Sequence, residues 1–190
     1  MCGIVGYLGF RRADKVAISA LKRLEYRGYD SWGVAVKSGN ELKVYKRVGA
    51  IGDVKDFELG EGNIGIGHTR WATHGKPSDI NAHPHTDCNN EIAVVHNGII
   101  SNFQRLRERL EREGHKFKSE TDTEVIPHLI EKYRKKGLSF EKAVMEAIKE
   151  LEGSYAFVAL NKNEDKLIAC RYKSPLILGI GDNEFFLASD

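Results

Sequence analysis

SYAFVALNKNEDKLIACRYKSPLILGIGDNEFFLAS, residues 154–189, holds four short apolar runs (154–160, 166–172, 176–180 and 184–189) separated by Lys, Asn, Asp and Gly. Runs of this length, rich in Val, Ile, Phe and Tyr and bounded by turn formers, read as strands, and their close succession reads as an antiparallel meander. Working back from it, Ser139 opens a helix to about residue 151. Thr121 with Glu124 three residues later has the spacing of a capping box for a helix from about 122 to 136. Before these come the strands IGIGHTRW (64–71) and EIAVVHNG (91–98), joined by a long polar loop rich in His, Pro, Asn and Asp. Loops of that length inside compact domains are more often functional than ordinary ones. VAVKSGNELKVYKRV (34–48) alternates on both sides of a Ser38-Gly39-Asn40 turn, as a hairpin does. At the start, GIVGYL (3–8) reads as a buried strand, followed by a helix capped by Asp14 and ending near Gly28. Strands, then helices, then strands again predict an α+β layered architecture rather than a parallel doubly wound sheet.

A chain of 190 residues with 41% hydrophobic content can bury a core of its own, and its length fits one domain. Lys and Arg total 29 against 27 for Asp and Glu, and the net charge of +2 leaves no electrostatic footprint for nucleic acid or an anionic membrane. A small-molecule ligand is expected instead. Cys2, Cys88 and Cys170 are odd in number and widely spaced, a poor disulfide framework that fits a reducing cytoplasm. The positive charges Arg11 and Arg12 follow the first apolar run rather than precede it, unlike a signal peptide. No apolar run approaches membrane-spanning length.

Cys2 is the first candidate for chemistry. Met before a small residue is ordinarily trimmed, which would leave a cysteine carrying both a thiol and a free α-amine. The amine's ordinary pKa is about 7.7 to 8.0 and the thiol's about 8.5, so near neutrality the amine can take the thiol proton, and no separate catalytic His is required. A lone early Cys before an apolar strand is otherwise read as a small buried hydrophobe. Its companions decide between the two.

MCGIVGYLG (1–9), LKRLEYRGYDSWGVAV (21–36), GHTRWATHGKPSDINAHPH (67–85), HNGIISNFQRLRERL (96–110) and SETDTEV (119–125) stand in the order and approximate spacing found in class II glutamine amidotransferases, the N-terminal-nucleophile type. The resemblance covers nearly the whole chain. EYRGYDS, GHTRWATHG and SETDTEV look like the glutamine:fructose-6-phosphate aminotransferase branch rather than the purine, asparagine or glutamate-synthase branches. The resemblance implies a four-layer αββα sandwich, two antiparallel sheets with helices on both outer faces. It also implies hydrolysis of L-glutamine through a Cys2 γ-glutamyl thioester, with the ammonia passed to an isomerase domain that aminates fructose 6-phosphate. The chain then corresponds to the glutaminase domain alone, residues 1–190, ending before that domain usually does and without the isomerase domain. The full-length enzyme is expected to be a cytoplasmic homodimer.

Each motif has a task in such acyl transfer. The tetrahedral oxyanion needs donors aimed at it, which the side-chain amide of Asn97 and the backbone N–H of Gly98 can supply. An Asn-Gly pair after a strand is also the commonest tight turn, and that reading competes. Arg70 offers a planar fork for the substrate carboxylate and Asp122 a counter-charge for its ammonium. Against these stand a solvated strand-end charge for Arg70 and, for Asp122, an acid favoured at a helix N-terminus. Trp71, Thr73 and His74 fall on what the family uses as a mobile glutamine loop, Trp71 as a lid and the other two as polar contacts. Arg27 resembles the arginine that organises the terminal amine and the oxyanion donors, although a cation beside Gly28 at a helix end has its own dipole explanation. His68, His74, His83, His85 and Cys88 suit zinc by residue type but follow no usual zinc-finger or H-E-x-x-H spacing, and the family's chemistry needs neither metal nor cofactor, so none is assigned. The rivals are a non-catalytic glutamine-binding or interaction domain of the same fold, and the glutaminase domain of another class II member, such as the phosphoribosylpyrophosphate amidotransferase.

Overall fold

The computed structural model describes residues 2–52 and 54–190. Met1, and with it the expected loss of the initiator residue, lies outside the described residues. Strand β1 (Gly3–Leu8) is followed by helix α1 (Ala13–Leu24), a 3-10 turn over Glu25–Arg27, and the hairpin β2 (Ser31–Ser38) and β3 (Glu41–Val48). Then come β4 (Ile64–Arg70), the two-residue β5 (His85–Thr86) and β6 (Ile92–Ile100). Helices α2 (Phe103–Arg112), α3 (Val125–Lys135) and α4 (Phe140–Glu150) precede β7 (Gly153–Asn161), β8 (Leu167–Tyr172), β9 (Ile177–Gly181) and β10 (Glu184–Ala188). The strands form two antiparallel sheets, ordered β3-β2-β4-β1-β10-β9 and β5-β6-β7-β8.

Period-two alternation sorts the side chains of these strands into layers. Ile4, Ala35, Ile64, Ile66, Ala93, Val95, Ala156, Val158 and Leu160 interleave between the two sheets. Val5, Tyr7, Trp32, Val34 and Val36 face the other way, onto Ala13, Ala17, Ile18 and Leu21 of α1. Ile92, Val94, Ile100, Phe157 and Ala159 carry α2, α3 and α4 on the opposite outer face. The αββα order expected from the family resemblance is therefore the observed one. Each fully buried Ile or Val in these layers contributes about 1.5 to 3 kcal/mol by leaving water.

The hairpin register is as expected, Ser38 pairing with Glu41 across Gly39, whose φ of 60° suits glycine. Other expectations are corrected. The last four strands do not form one meander: β7 and β8 stay in the four-stranded sheet, whereas β9 and β10 cross over and add to β1 in the six-stranded one. Apolar alternation fixes that a segment is a strand but not which sheet edge it joins. Arg12, not Asp14, is the N-cap of α1. The Asp14 carboxylate lies buried within the first turn and accepts from Lys15 N at 2.7 Å, Leu59 N at 2.9 Å and the Arg12 guanidinium at 2.7 Å. Gly28 is extended rather than left-handed. It is required because a Cβ there would stand 2.6 Å from the Arg70 carbonyl carbon.

The capping box is absent as well. α3 begins at Val125, and Glu124, its N-cap, makes no side-chain cap bond. Its carboxylate reaches back to Lys118 N (2.8 Å) and Ser119 N (2.7 Å), tying down the segment ahead of the helix. Helix α2 shows little apolar pattern because only Leu106 and Leu110 are buried and, apart from Phe103 and Gln104, the rest are charged and laced by pairs such as Arg107–Glu111.

Candidate active site

The inner faces of the sheets change character at one end. On β4, Ile64 and Ile66 are followed two and four residues on by His68 and Arg70; on β6, Ala93 and Val95 are followed by Asn97; and Cys2 stands two residues before Ile4. Alternation thus delivers a thiol, an imidazole, a guanidinium and a carboxamide to the end of an otherwise apolar layer. Gly3 pairs with Thr69, which sets Cys2 against the Arg70–Trp71 end of β4. The result is a cleft of about 310 Å³ lined by Cys2, Arg27, Arg70, Trp71, Thr73, Asn97, Gly98 and Asp122 among others, within the range that holds a small ligand.

Cys2 Sγ receives the backbone N–H of Trp71 at 3.1 Å. Burial raises the thiol pKa, outweighing the pull of the Trp71 N–H and of Arg70 toward the thiolate. The resting sulfur is therefore a protonated thiol near neutrality and needs a base. The Cys2 carbonyl oxygen is held by Arg27 Nε at 3.0 Å and by Asn97 Nδ2 at 2.9 Å. A carboxamide nitrogen has two N–H groups, so Asn97 keeps a second donor while anchoring the nucleophile's own backbone. Its Oδ1 lies 3.0 Å from His68 Nε2, which is also 2.9 Å from the His96 carbonyl. Both partners are acceptors, so the Nε2 of His68 carries the proton, which fixes the amide with its NH2 toward Cys2.

The turn reading of Asn97-Gly98 falls away, because both lie within β6 and pair with Ala156 and Tyr155 of β7. Gly98 has φ of 114°, and a Cβ would stand 2.0 Å from the Ser154 carbonyl oxygen. Gly98→Ala is accordingly expected to cost about 3 kcal/mol through strain and strand displacement, read as a fall of several degrees in Tm together with lost turnover. An unchanged Tm would contradict this reading of the strand.

Arg70 is buried, its Nη2 bonding the carbonyls of His74 and, at 2.9 Å, Gly75. Its Nη1 is also buried and has no hydrogen-bond partner among the described residues. An unpaired guanidinium N–H facing a cleft is costly unless an anion takes it. Asp122 accepts from Ile100 N at 2.8 Å through one oxygen, the other lying 4.0 Å from His74 Nδ1. Of the expected residues, His74 alone does not line the cleft. Its ring packs edge-on against Phe103 at 5.2 Å, and it serves the site through its carbonyl on Arg70. Trp71 is half exposed, its ring edge against Tyr29.

Sequence reasoning missed the wall behind the cleft. His83 Nε2 and His96 Nδ1 meet Thr123 Oγ1 at 2.8 and 2.7 Å, His85 Nε2 meets Thr121 Oγ1 at 3.0 Å, and His83 stacks on His68 at 4.1 Å. Of the histidines weighed as metal ligands, His83 and His85 thus meet threonine hydroxyls, and His68 meets the His96 carbonyl and the Asn97 amide. Burial pushes His68 down to about 3, His96 to about 4, and His83 and His85 well below their ordinary value.

Such groups are neutral in the fold but charge in the unfolded chain below its ordinary pKa of about 6.5. Their stability is complete above that pH and is lost as pH falls through the window toward the depressed values, each by about 1.4 kcal/mol per pH unit. Glu124, pulled down to about 2 by His128 and Ser119 against the effect of burial, adds loss only below the ordinary carboxylate range. Between pH 6.5 and about 4.5 the histidine effect is therefore isolated, and Tm should fall steadily. A Tm flat or rising on acidification through that window would contradict it.

A thiol with an adjacent carboxamide donor, an anion-seeking arginine and a carboxylate, set at the end of an αββα sandwich, defines an amidotransferase of the N-terminal-nucleophile architecture. Residues 68–190 match the family model described as a glutamine amidotransferase domain, and the chain belongs to that family. It is 56% identical, over its whole length, to the glutamine–fructose-6-phosphate aminotransferase (isomerizing) of Sulfurisphaera tokodaii, and 51% identical to that of Thermus thermophilus. The chain spans about a third of the length of these relatives, 33% and 32%. Among solved structures, the glutamine phosphoribosylpyrophosphate amidotransferase from B. subtilis, complexed with ADP and GMP, matches 99% of this chain and 42% of its own at TM-score 0.83 and 29% identity. A structure of the allosteric regulatory enzyme of purine biosynthesis matches with TM-score 0.85 and 30% identity, over 99% of this chain and 42% of its own. No helix among the described residues is long and apolar enough to cross a membrane.

Proposed function

We propose that this chain hydrolyses L-glutamine to glutamate and ammonia through a thioester on Cys2, as the glutaminase domain of a larger homodimeric enzyme whose isomerase domain uses the ammonia to aminate fructose 6-phosphate. The carrying observation is the convergence on one cleft of the Cys2 thiol, the Asn97 amide anchored on Cys2's own carbonyl, and the unpaired Nη1 of Arg70. Arg70 takes the α-carboxylate and the free oxygen of Asp122 the ammonium, which leaves the side-chain amide pointing toward Cys2.

Once Met1 is removed, the Cys2 amine takes the thiol proton as Sγ attacks the amide carbon. The resulting oxyanion receives the second Asn97 N–H and the Gly98 N–H. Collapse breaks the C–N bond, and the protonated amine gives its proton to the departing ammonia. Water, activated by the same amine, then cleaves the thioester to glutamate. Arg27 fixes the Cys2 carbonyl and thereby the attack geometry, while Trp71 and Thr73 cover the cleft from the loop side.

The test is a product assay. The chain, free of Met1, should release glutamate from glutamine and form no glucosamine 6-phosphate when fructose 6-phosphate is added, until the isomerase domain is supplied. Folded, Met1-free protein that binds glutamine without releasing glutamate would favour a binding domain instead.

A further inference from the structure

A second cluster of reactive side chains lies outside the cleft, on the helical side of the four-stranded sheet. It is assembled from three separate stretches of chain. Cys88 stands in the turn between β5 and β6, His115 in the connection from α2 to α3, and His128 and Glu131 one turn apart on α3. Three residues apart on a helix, the last two present the same face. Their ligand atoms all lie within 4.8 Å of one another. Cys88 Sγ is 3.6 Å from His128 Nδ1 and 3.9 Å from His115 Nδ1, and the two ring nitrogens are 3.3 Å apart. Glu131 Oε2 is 2.8 Å from His115 Nδ1 and 3.4 Å from His128 Nδ1.

We infer that Cys88, His115, His128 and Glu131 form a tetrahedral zinc site that clips the β5–β6 turn and the α2–α3 connection onto α3. Ordinary zinc bond lengths of about 2.3 Å to sulfur and about 2.0 to 2.2 Å to nitrogen or oxygen set tetrahedral edges of about 3.3 to 3.6 Å between ligand atoms. Three of the five separations, 3.3, 3.4 and 3.6 Å, fall on these edges; the 3.9 Å from Cys88 to His115 is longer and the 2.8 Å from His115 to Glu131 shorter, so an ion would draw the sulfur in and part the last pair. One thiolate, two imidazoles and one carboxylate suit a borderline cation such as Zn²⁺ rather than a hard one such as Ca²⁺ or Mg²⁺. The set is also electrically closed: thiolate and carboxylate balance the two positive charges, as a mostly buried centre requires.

The surrounding groups orient the ligands as outer partners of a metal do. His128 Nε2 lies 3.6 Å from Glu124 Oε1, so a carboxylate stands on the side of the ring away from the cluster, while Nδ1 faces Cys88, His115 and Glu131. Lys135 Nζ sits 2.7 Å from Glu131 Oε1, the oxygen turned away from the centre. Lys116 N donates to Cys88 Sγ at 3.4 Å. Lone pairs of sulfur, nitrogen and carboxylate oxygen therefore converge on one point, where protons or a cation must hold them together.

Four protein ligands leave no open position, so the site is structural rather than catalytic. It has a bearing on the cleft all the same, because α3 begins just after Thr121, Asp122 and Thr123, which line it. The sequence reading assigned no metal because His68, His74, His83, His85 and Cys88 follow no usual zinc spacing and the family's chemistry needs none. The fold instead turns Cys88 toward His115 and His128, a pairing with no local spacing to reveal it.

The test uses Co²⁺ as a spectroscopic probe and Zn²⁺ as its competitor. Chelator-stripped wild-type protein titrated with Co²⁺ should develop, at one equivalent, the visible bands of tetrahedral cobalt and a near-ultraviolet thiolate-to-cobalt charge-transfer band, both displaced by Zn²⁺. Zn²⁺ should raise Tm, and release of protons on binding should make the affinity climb with pH. Cys88→Ser, a substitution at a half-buried position that should preserve the fold, is expected to lose the charge-transfer band, whereas Cys170→Ser should keep it. Glu131→Gln should weaken binding while retaining that band. Absence of a charge-transfer band in folded wild type, or its survival in Cys88→Ser, would overturn the assignment.

Discussion

Cys2→Ala is expected to abolish glutamine hydrolysis outright while leaving the fold and glutamine binding in place. Acyl transfer through a thioester has no second nucleophile available here: Cys88 faces His115 and His128 away from the cleft, and Cys170 lies on β8. Cys170→Ser should therefore turn over glutamine normally, as should Cys88→Ser below its unfolding temperature. The thiol's burial-raised pKa makes a local base essential, and only an uncapped Cys2 amine can act from the same residue. Protein proven to retain Met1 should fold and bind yet be nearly inactive, because that nitrogen is then locked in a peptide bond. Full turnover in such a protein would refute an N-terminal-nucleophile mechanism, whatever became of the Cys2→Ala variant.

The next largest effects separate transition-state from ground-state contacts. Asn97→Ala should lower kcat by about a hundred- to a thousandfold, the usual scale for one oxyanion donor, with little change in KM. Loss of the amide also leaves the Cys2 carbonyl with Arg27 Nε as its remaining donor of the two and the buried His68 Nε2 with one acceptor fewer, so a modest fall in Tm should accompany it. Arg70→Ala should act chiefly on KM, since a carboxylate contact is made equally in substrate and transition state. Steady-state kinetics on both variants decide the matter. An identical defect in kcat and KM for the two would show that the cleft does not divide its labour in this way.

Much of this site could be read from residues in order. Cys2, Asn97, Gly98, Arg70 and Asp122 occupy motifs whose residue types match the needs of amide hydrolysis, and strand alternation then carries several of them to one end of the inter-sheet layer. What stayed hidden depends on contacts between distant segments. Asp14 and Thr121 have the right identities for helix caps, yet Asp14 is engaged by Leu59 N and Thr121 by His85 and Ser119. Local propensity is one competitor among several for a polar side chain. His68 was legible as a ligand type but not as the group that orients Asn97, because the two meet only when β4 and β6 face each other across the sandwich. The division of β7–β8 from β9–β10 is of the same kind, since a strand's own pattern says nothing about which sheet offers it an edge.

The most direct measurement is the intact mass of the purified protein before and after exposure to a glutamine-analogue electrophile, followed by peptide mapping of the adduct. The mechanism predicts a starting mass lacking Met1, a single adduct at Cys2, and protection by glutamine. An adduct at Cys88 or Cys170, or no adduct on folded Met1-free protein, would contradict it.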